Sequence, residues 1–260
     1  MRRSGIYVQN EYSQNERLKI VYGLRTEMYA EKESFNPRLA LMYKPKEYYK
    51  MRFSLGKGFR APSVQETFIS FHNVDQGYVV EGNSRLRPEQ SIGSSFNIEY
   101  SNENNIRLNG LLYHNYFSDK ILTEQVSEPN SSPIVFTYKN ISNATYQGVE
   151  LFADYVHSNN LTLKLNLNLR DEFDSDGKKL KNTTPFSTGF ELSYLIRAIN
   201  TRIYLNQSQS YRHATDTSFG LVDIIFSTRF SELLKISVGI KNITNYVDKT
   251  YGPFRGRSLY

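Results

Sequence analysis

Residues 161–170 read Leu161-Thr162-Leu163-Lys164-Leu165-Asn166-Leu167-Asn168-Leu169-Arg170, with leucine at every odd position and a polar residue at every even one. Successive side chains of an extended strand point to opposite faces, so this segment forms a strand with one wholly apolar face and one wholly polar face. A helix of about 3.6 residues per turn would scatter the same leucines around its axis. The pattern recurs outward from here. Met51, Phe53 and Leu55 alternate with Arg52, Ser54 and Gly56, and Ile92, Phe96, Ile98 and Tyr100 alternate with Gly93, Ser95, Asn97 and Glu99. Thr188, Phe190, Leu192, Tyr194 and Ile196 do so with Leu195 as the exception, and Leu234, Ile236, Val238 and Ile240 follow. The spacing predicts strands over 4–12, 17–29, 35–43, 48–60, 89–101, 105–118, 144–157, 160–172, 186–198, 201–213, 217–230 and 233–242, with a further one beginning near Arg257. Leu111 and Leu112 are adjacent and claim both faces of their strand. The only helical candidate is the short run 63–70, inside a loop.

Composition narrows the class. With no Cys among 260 residues, a disulfide scaffold, a cysteine nucleophile and a thiolate metal site are excluded. The four His, at 72, 114, 157 and 213, are too scattered for a local metal-binding spacing. Mean hydropathy is −0.54 and no apolar run approaches about 18 residues, which excludes a helical membrane protein. It does not exclude a membrane barrel, whose strands alternate. Met1-Arg2-Arg3-Ser4-Gly5 runs straight into an alternating segment with no signal-peptide core, so the chain reads as cytoplasmic or as part of something longer. The formal charge of +6 is spread evenly, which argues against nucleic acid as a partner. No catalytic constellation appears, so an enzyme is not expected. The acidic run Asp171, Glu172, Asp174 and Asp176 lacks the ligand pattern of a calcium loop and reads as solvated, so no resident metal or cofactor is expected either.

The links decide between architectures. Short turns at 13–16, 44–47, 101–104, 157–160, 198–200 and 231–232 alternate with links at 30–34, 61–88, 119–143, 173–185, 214–216 and 243–256, and four of the latter six are long. Every long link therefore leaves the same side of the sheet, as in outer-membrane barrels with short periplasmic turns and long external loops. A strand of about 10 residues tilted near 45° spans roughly 23 Å, close to the apolar band of such a membrane. Tyr43, Tyr100 and Tyr155 fall on the apolar face near strand ends, where an aromatic girdle belongs. The expected fold is all-β, an antiparallel up-and-down transmembrane β-barrel. A soluble β-sheet protein would have to cover the same apolar faces by packing two sheets together.

Five segments carry a resemblance. Leu55-Gly56-Lys57-Gly58-Phe59-Arg60-Ala61-Pro62-Ser63 is followed by Leu86-Arg87-Pro88-Glu89, then Tyr146-Gln147-Gly148-Val149-Glu150-Leu151 and Val238-Gly239-Ile240-Lys241-Asn242-Ile243-Thr244-Asn245, and last Tyr251-Gly252-Pro253-Phe254-Arg255-Gly256-Arg257-Ser258-Leu259-Tyr260. Each is weak alone, but in this order the chain resembles, over its whole length, the C-terminal half of a TonB-dependent outer-membrane receptor. The resemblance implies a barrel of about 22 strands plugged by an N-terminal domain. It implies import of a scarce nutrient such as a ferric siderophore, haem or cobalamin, with energy from TonB. On this reading residues 1–260 are the C-terminal part of the barrel, an incomplete, curved wall of about 12–13 strands in outer-membrane lipid, without the plug and first strands and not functional alone. The alternative is a passive porin-like channel of about 12 strands.

Candidate site residues follow from parity and from the resemblance. Arg52, Gly56, Gly58 and Arg60 on one strand, Glu89 and Glu99 on the next, and Glu150 further on fall on the polar parity; in the family that face meets the plug. The loop 61–88 carries Phe68, Phe71, His72, Tyr78 and Arg85 as candidate ligand contacts. In some haem receptors of the family a His lies between a Phe-Arg-Ala-Pro box and an Asn-Pro-x-Leu box. Here Phe59-Arg60-Ala61-Pro62 matches the first, Asn83-Ser84-Arg85-Leu86 matches the second in part, and His72 lies between them. Imidazole is a proper axial ligand for haem iron, and the aromatics would flank the porphyrin; a solvated loop histidine remains the other reading.

Overall fold

Alternation on this scale becomes a single sheet. The structure, a computed structural model, describes residues 3–29, 32–103, 105–128, 131–157, 160–180, 183–212, 216–247 and 256–259. In chain order the strands are β1 Arg3–Asn15, β2 Leu18–Tyr29, β3 Lys32–Lys46, β4 Tyr49–Arg60, β5 Ser70–Asn73, β6 Tyr78–Glu81, β7 Glu89–Ser101, β8 Ile106–Gln125, β9 Ile134–His157, β10 Leu161–Asp174, β11 Phe186–Ile196, β12 Thr201–Arg212, β13 Thr217–Arg229, β14 Lys235–Lys241 and β15 Ser258–Leu259. One short helix, α1 Val64–Phe68, lies between β4 and β5. Thirteen strands follow one another antiparallel along the sheet, each paired to its sequence neighbour except that β7 follows β4. The path does not close, and β1 and β15 are its ends.

Register turns the alternation of single strands into continuous rows. One apolar row crosses ten strands as Tyr12, Ile20, Leu41, Phe53, Phe96, Leu112, Val149, Leu169, Phe186 and Tyr211. The opposite face carries Arg52, Asn97, Leu111, Glu150, Asn168, Ser187 and Ser210 in register. The Leu111–Leu112 ambiguity is thereby resolved, with Leu112 on the apolar face and Leu111 among the polar residues. The apolar face is open: Leu165 is 53% exposed, Ile92 54% and Val238 62%. Among the described residues the buried apolar side chains are Tyr29, Val79, Ile121 and Ala144. A soluble chain rarely shows contiguous apolar patches beyond a few hundred Å², so this face is built for a hydrocarbon solvent. No second sheet packs on it among the described residues, and the two-layer soluble alternative fails.

Two segments expected to be links are ordered structure. β8 and β9 run on past 118 and begin before 144, pairing as far as Gln125 with Phe136 on either side of Asp119, whose φ is +56. The segment 61–88 folds into α1 and the β5–β6 hairpin, and β6 docks parallel to β9, Tyr78 against Ile134 through Glu81 against Thr137. Position 213 and the closing motif at 251–255 lie outside the described residues, as do parts of the links at 30–31, 181–182 and 214–215.

Candidate functional site

At the end of β4, Arg60 faces Glu89 at the start of β7, as their register requires. The guanidinium donates from Nε to Glu89 Oε2 at 2.6 Å and from Nη2 to Glu89 Oε1 at 2.9 Å, a bidentate pair. Its other edge binds Glu66 of α1, Nη1 to Oε2 at 2.9 Å and Nη2 to Oε1 at 3.0 Å. Glu89 is 3% exposed and also accepts the Ile121 backbone N–H at 2.7 Å, with Lys120 Nζ 3.5 Å away. A buried carboxylate is tolerable only when so satisfied. Lys120 in turn sits over the Phe117 ring at 4.6 Å, which meets Tyr146 edge-on at 5.2 Å. The cluster joins β4, β7, β8 and α1 at one point.

α1 starts where it does because Ser63 and Glu66 form a capping box. Ser63 Oγ accepts the Glu66 N–H at 3.1 Å, and the Ser63 N–H donates to Glu66 Oε2 at 2.7 Å. Burial works against the Glu66 charge, but the Arg60 guanidinium and the Ser63 N–H and hydroxyl outweigh it and hold the carboxyl below its usual range. Gly82 follows β6 where the hairpin passes over α1: a Cβ there would lie 2.7 Å from the Thr67 carbonyl, so only glycine fits the approach. Asn83 Nδ2 donates to the Tyr138 carbonyl at 2.8 Å, Thr137 Oγ1 to the Glu81 carbonyl at 2.9 Å, and Arg87 pairs with Asp119 at 2.6 Å. The loop is thus fastened to the β8–β9 extension by backbone, side-chain and ionic bonds together.

On the same face nearer the short turns, Arg52 donates to Asn97 and Glu99, both at 3.0 Å, and Lys50 reaches Glu99 at 3.4 Å. Gly56 pairs with Gly93 and Gly58 with Ser91, leaving a low strip between the Arg60 and Arg52 clusters. Glu150 lies between Leu111 and Asn168. Sequence reading missed a ladder below them: Arg107 with Asp154 at 2.9 Å and Lys164 with Glu191 at 2.9 Å, alternating in sign over four strands. Only register reveals it. It also missed Glu66, which the Ser63-x-x-Glu66 spacing signals.

The loop candidates separate. Phe71 and Tyr78 share one face of the β5–β6 hairpin, rings 6.1 Å apart, whereas His72 points to the other face. His72 Nε2 is 3.0 Å from Glu81 Oε1 and 3.2 Å from Ser70 Oγ. Phe68 is 62% exposed at the end of α1, and the Arg85 N–H closes a turn onto Asn83 Oδ1 at 2.9 Å. Each member of the acidic run has a partner: Asp171 with Lys179, Glu172 with Arg170, and Asp174 with the N–H groups of Asp176 and Lys178, while Asp176 lies 4.0 Å from Lys178. Among the described residues no group of acidic and histidine side chains is placed to hold a metal.

A one-layer antiparallel sheet with an apolar face and a charged face, short turns at one end and a docked loop at the other, defines the wall of a bacterial outer-membrane β-barrel. The chain belongs to the TonB-dependent receptors: residues 1–243 match the family described as TonB dependent receptor-like, beta-barrel. It is 26% identical over 152 residues to the iron-regulated outer membrane virulence protein of Vibrio cholerae serotype O1, covering 55% of this chain and 23% of that protein. It is 25% identical over 179 residues to the heme/hemopexin utilization protein C of Haemophilus influenzae, covering 62% and 25%. The siderophore receptor PirA of Pseudomonas aeruginosa superposes with a TM-score of 0.76 at 16% identity, over 99% of this chain and 47% of that one. The copper transporter OprC gives the same TM-score and identity over 99% and 46%. The alignments take in about a quarter of the length of these curated relatives and under half of these solved receptors.

Proposed function

We propose that the whole protein is an energised importer of a scarce chelated nutrient, with TonB as the energy-delivering partner through a plug that meets the polar face at Arg52, Gly56, Gly58, Arg60, Glu89, Glu99 and Glu150. Family membership supports this, as do similar proteins named as an iron-regulated outer membrane virulence protein, a heme/hemopexin utilization protein and a siderophore receptor. Of the three expected cargoes, the ferric siderophore is favoured over haem and cobalamin. The observation that carries the choice is the split of the β5–β6 hairpin: the Phe71 and Tyr78 rings face one way and His72, engaged by Glu81 and Ser70, the other. A porphyrin lying against those rings would not receive the His72 imidazole, whereas a planar aromatic chelate needs only the rings and a cation such as Arg85.

The test uses the full-length receptor in cells. Uptake of iron from siderophores should require TonB and the proton gradient. Phe71→Ala should weaken chelate binding about tenfold, the scale of a central aromatic contact. His72→Ala should leave it unchanged. Uptake indifferent to TonB would instead mark a passive channel. A His72→Ala variant that loses haem binding and shifts its Soret band would restore haem as the cargo.

A further inference from the structure

The polar face changes character along its rows. Register carries one row from Arg52 and Asn97 on β4 and β7 to Ser187 and Ser210 on β11 and β12, and the next from Lys50 and Glu99 to Gly189 and Ser208. Between them, on β8 to β10, no side chain in either row is smaller than asparagine. On β11 and β12 both rows shrink to three hydroxymethyl groups and a glycine, so the wall is recessed there. The recess is a groove of about 370 Å³ over Gly189, lined also by Ser187, Asn206, Ser208, Ser210 and Asp223. A Cβ at Gly189 would lie 2.5 Å from the Asn166 amide nitrogen, so the floor stays low only with glycine.

Bonding changes with size. On β4 and β7 the rows are tied by Arg52 to Asn97 and Glu99 and by Lys50 to Glu99, charged groups that also bind strongly to whatever polar surface meets them. On β12 the side chains of Asn206, Ser208 and Ser210 have no hydrogen-bond partner among the described residues, and Asn206 and Ser208 are exposed. The carboxylates at the lower end of the groove are engaged, Glu191 by Lys164 at 2.9 Å and Asp223 by the Asn242 N–H at 2.7 Å. Its upper end, toward the loops, is an aromatic stack. Phe219, beside Ser210 in register, lies 5.0 Å from the Tyr246 ring with the planes 14° apart, and the Arg212 guanidinium caps Phe219 at 5.2 Å. A second low strip runs over Gly56, Gly58 and Gly93, but the Arg60–Glu89 pair closes it above and the Arg52–Glu99 pair below. That strip is a socket between ion pairs, whereas the β11–β12 recess leads up to rings.

We propose that the cargo passes the plug along this β11–β12 recess, while the plug stays held on the β4–β9 side. The inference rests on the importer reading of the whole protein and adds the side of the wall on which transport runs. A plug drawn by force parts first from the surface that binds it least. On β4 and β7 charge-assisted bonds have to be broken, whereas on β11 and β12 solvated hydroxyls exchange one water for another. Rings at the upper end and hydroxyls below suit a chelate with aromatic faces and polar edges, which meets solvated groups and no fixed charge until it reaches Glu191 and Asp223.

The test uses the full-length receptor in cells. Radio-iron carried by a tris-catechol siderophore is followed into cells with and without TonB, in the Ser208→Cys and Asn109→Cys variants. Each is measured before and after a benzyl thiosulfonate that leaves a mixed disulfide on the thiol, and again after a reductant. Ser208 and Asn109 share a row, so the variants differ in the side of the wall they occupy. Untreated, both should import as wild type does. The adduct on Ser208→Cys should cut TonB-dependent uptake at least about tenfold, leave chelate binding to the cells within about twofold, and be reversed by the reductant. The Asn109→Cys variant should import undiminished after the same treatment. Undiminished uptake through the modified Ser208→Cys receptor, or an equal loss at both positions, overturns the recess as the route. A Ser208→Cys thiol that the reagent does not reach contradicts a solvated recess, and a loss of chelate binding in step with uptake puts the block at the loops instead. Wild-type uptake that ignores TonB removes the importer reading itself, a result that the adduct comparison cannot produce.

Discussion

Leu165 and Asn166 are neighbours in sequence and opposite in environment. Leu165 projects from the apolar face, 53% exposed, and Asn166 lies in register with Phe152 and Gly189 on the polar one. In the full-length barrel, Leu165→Arg should cost roughly 2–4 kcal/mol in denaturant unfolding, whereas Asn166→Arg should be nearly neutral. At the loop, Glu66 titrates below the usual carboxylate range because Arg60 and Ser63 hold its charged form against the cost of burial. A depressed carboxyl contributes stability that is present above its unfolded value, about 4.3, and lost as pH falls through the folded one. Amide protection over residues 63–70, corrected for intrinsic exchange, should therefore hold at about pH 6 and collapse below about pH 4. The Glu66→Gln variant should show weaker protection at the higher pH and little further loss on acidification. Protection that does not respond to pH, or a variant like wild type, would detach Glu66 from loop anchoring.

At the scale of elements, the loop 61–88 behaves as a small folded unit clipped to the β8–β9 extension. Gly82→Ala would push a methyl group into the α1 backbone at 2.7 Å. Overpacking of this kind costs about 1–3 kcal/mol, and the whole charge should fall on the loop. Limited proteolysis of the full-length receptor should nick the variant between 63 and 88 faster than wild type, with an unchanged barrel melting temperature. Most strands were legible in the sequence, because alternation is a local signal and β2, β4, β7, β10, β11 and β13 lie within about two residues of where it puts them. The extensions of β8 and β9 were not, because Asp119, at φ +56, and Asn140 break the pattern where the strands rise clear of the sheet. The β5–β6 hairpin and its parallel docking on β9 were invisible for a different reason: four-residue strands are too short to show a period, and the partner is more than fifty residues away. Of the candidate site, parity put Arg60 and Glu89 on one face, but that they stand opposite and bind each other is a matter of register. Parity could not show that His72 and Phe71 part company, since that depends on a hairpin register no local pattern encodes.

At the scale of the molecule, the sheet is a wall between two solvents. Its apolar rows have no protein to bury them among the described residues, and its polar rows are tied by pairs such as Arg107–Asp154 and Lys164–Glu191 that suit a water-filled lumen. β1 shows Ile6, Tyr7 and Val8 more than 70% exposed and is an end of the sheet path, an edge whose unpaired backbone groups would be costly in lipid. The most direct test of this two-solvent wall is cysteine scanning along β10 in the full-length receptor, in outer membranes, with a small water-borne thiol reagent. Cysteines at positions 164, 166 and 168 should label and those at 163, 165 and 167 should stay protected, a strict period of two. Uniform labelling, uniform protection or a period near 3.6 would contradict the wall and everything built on it.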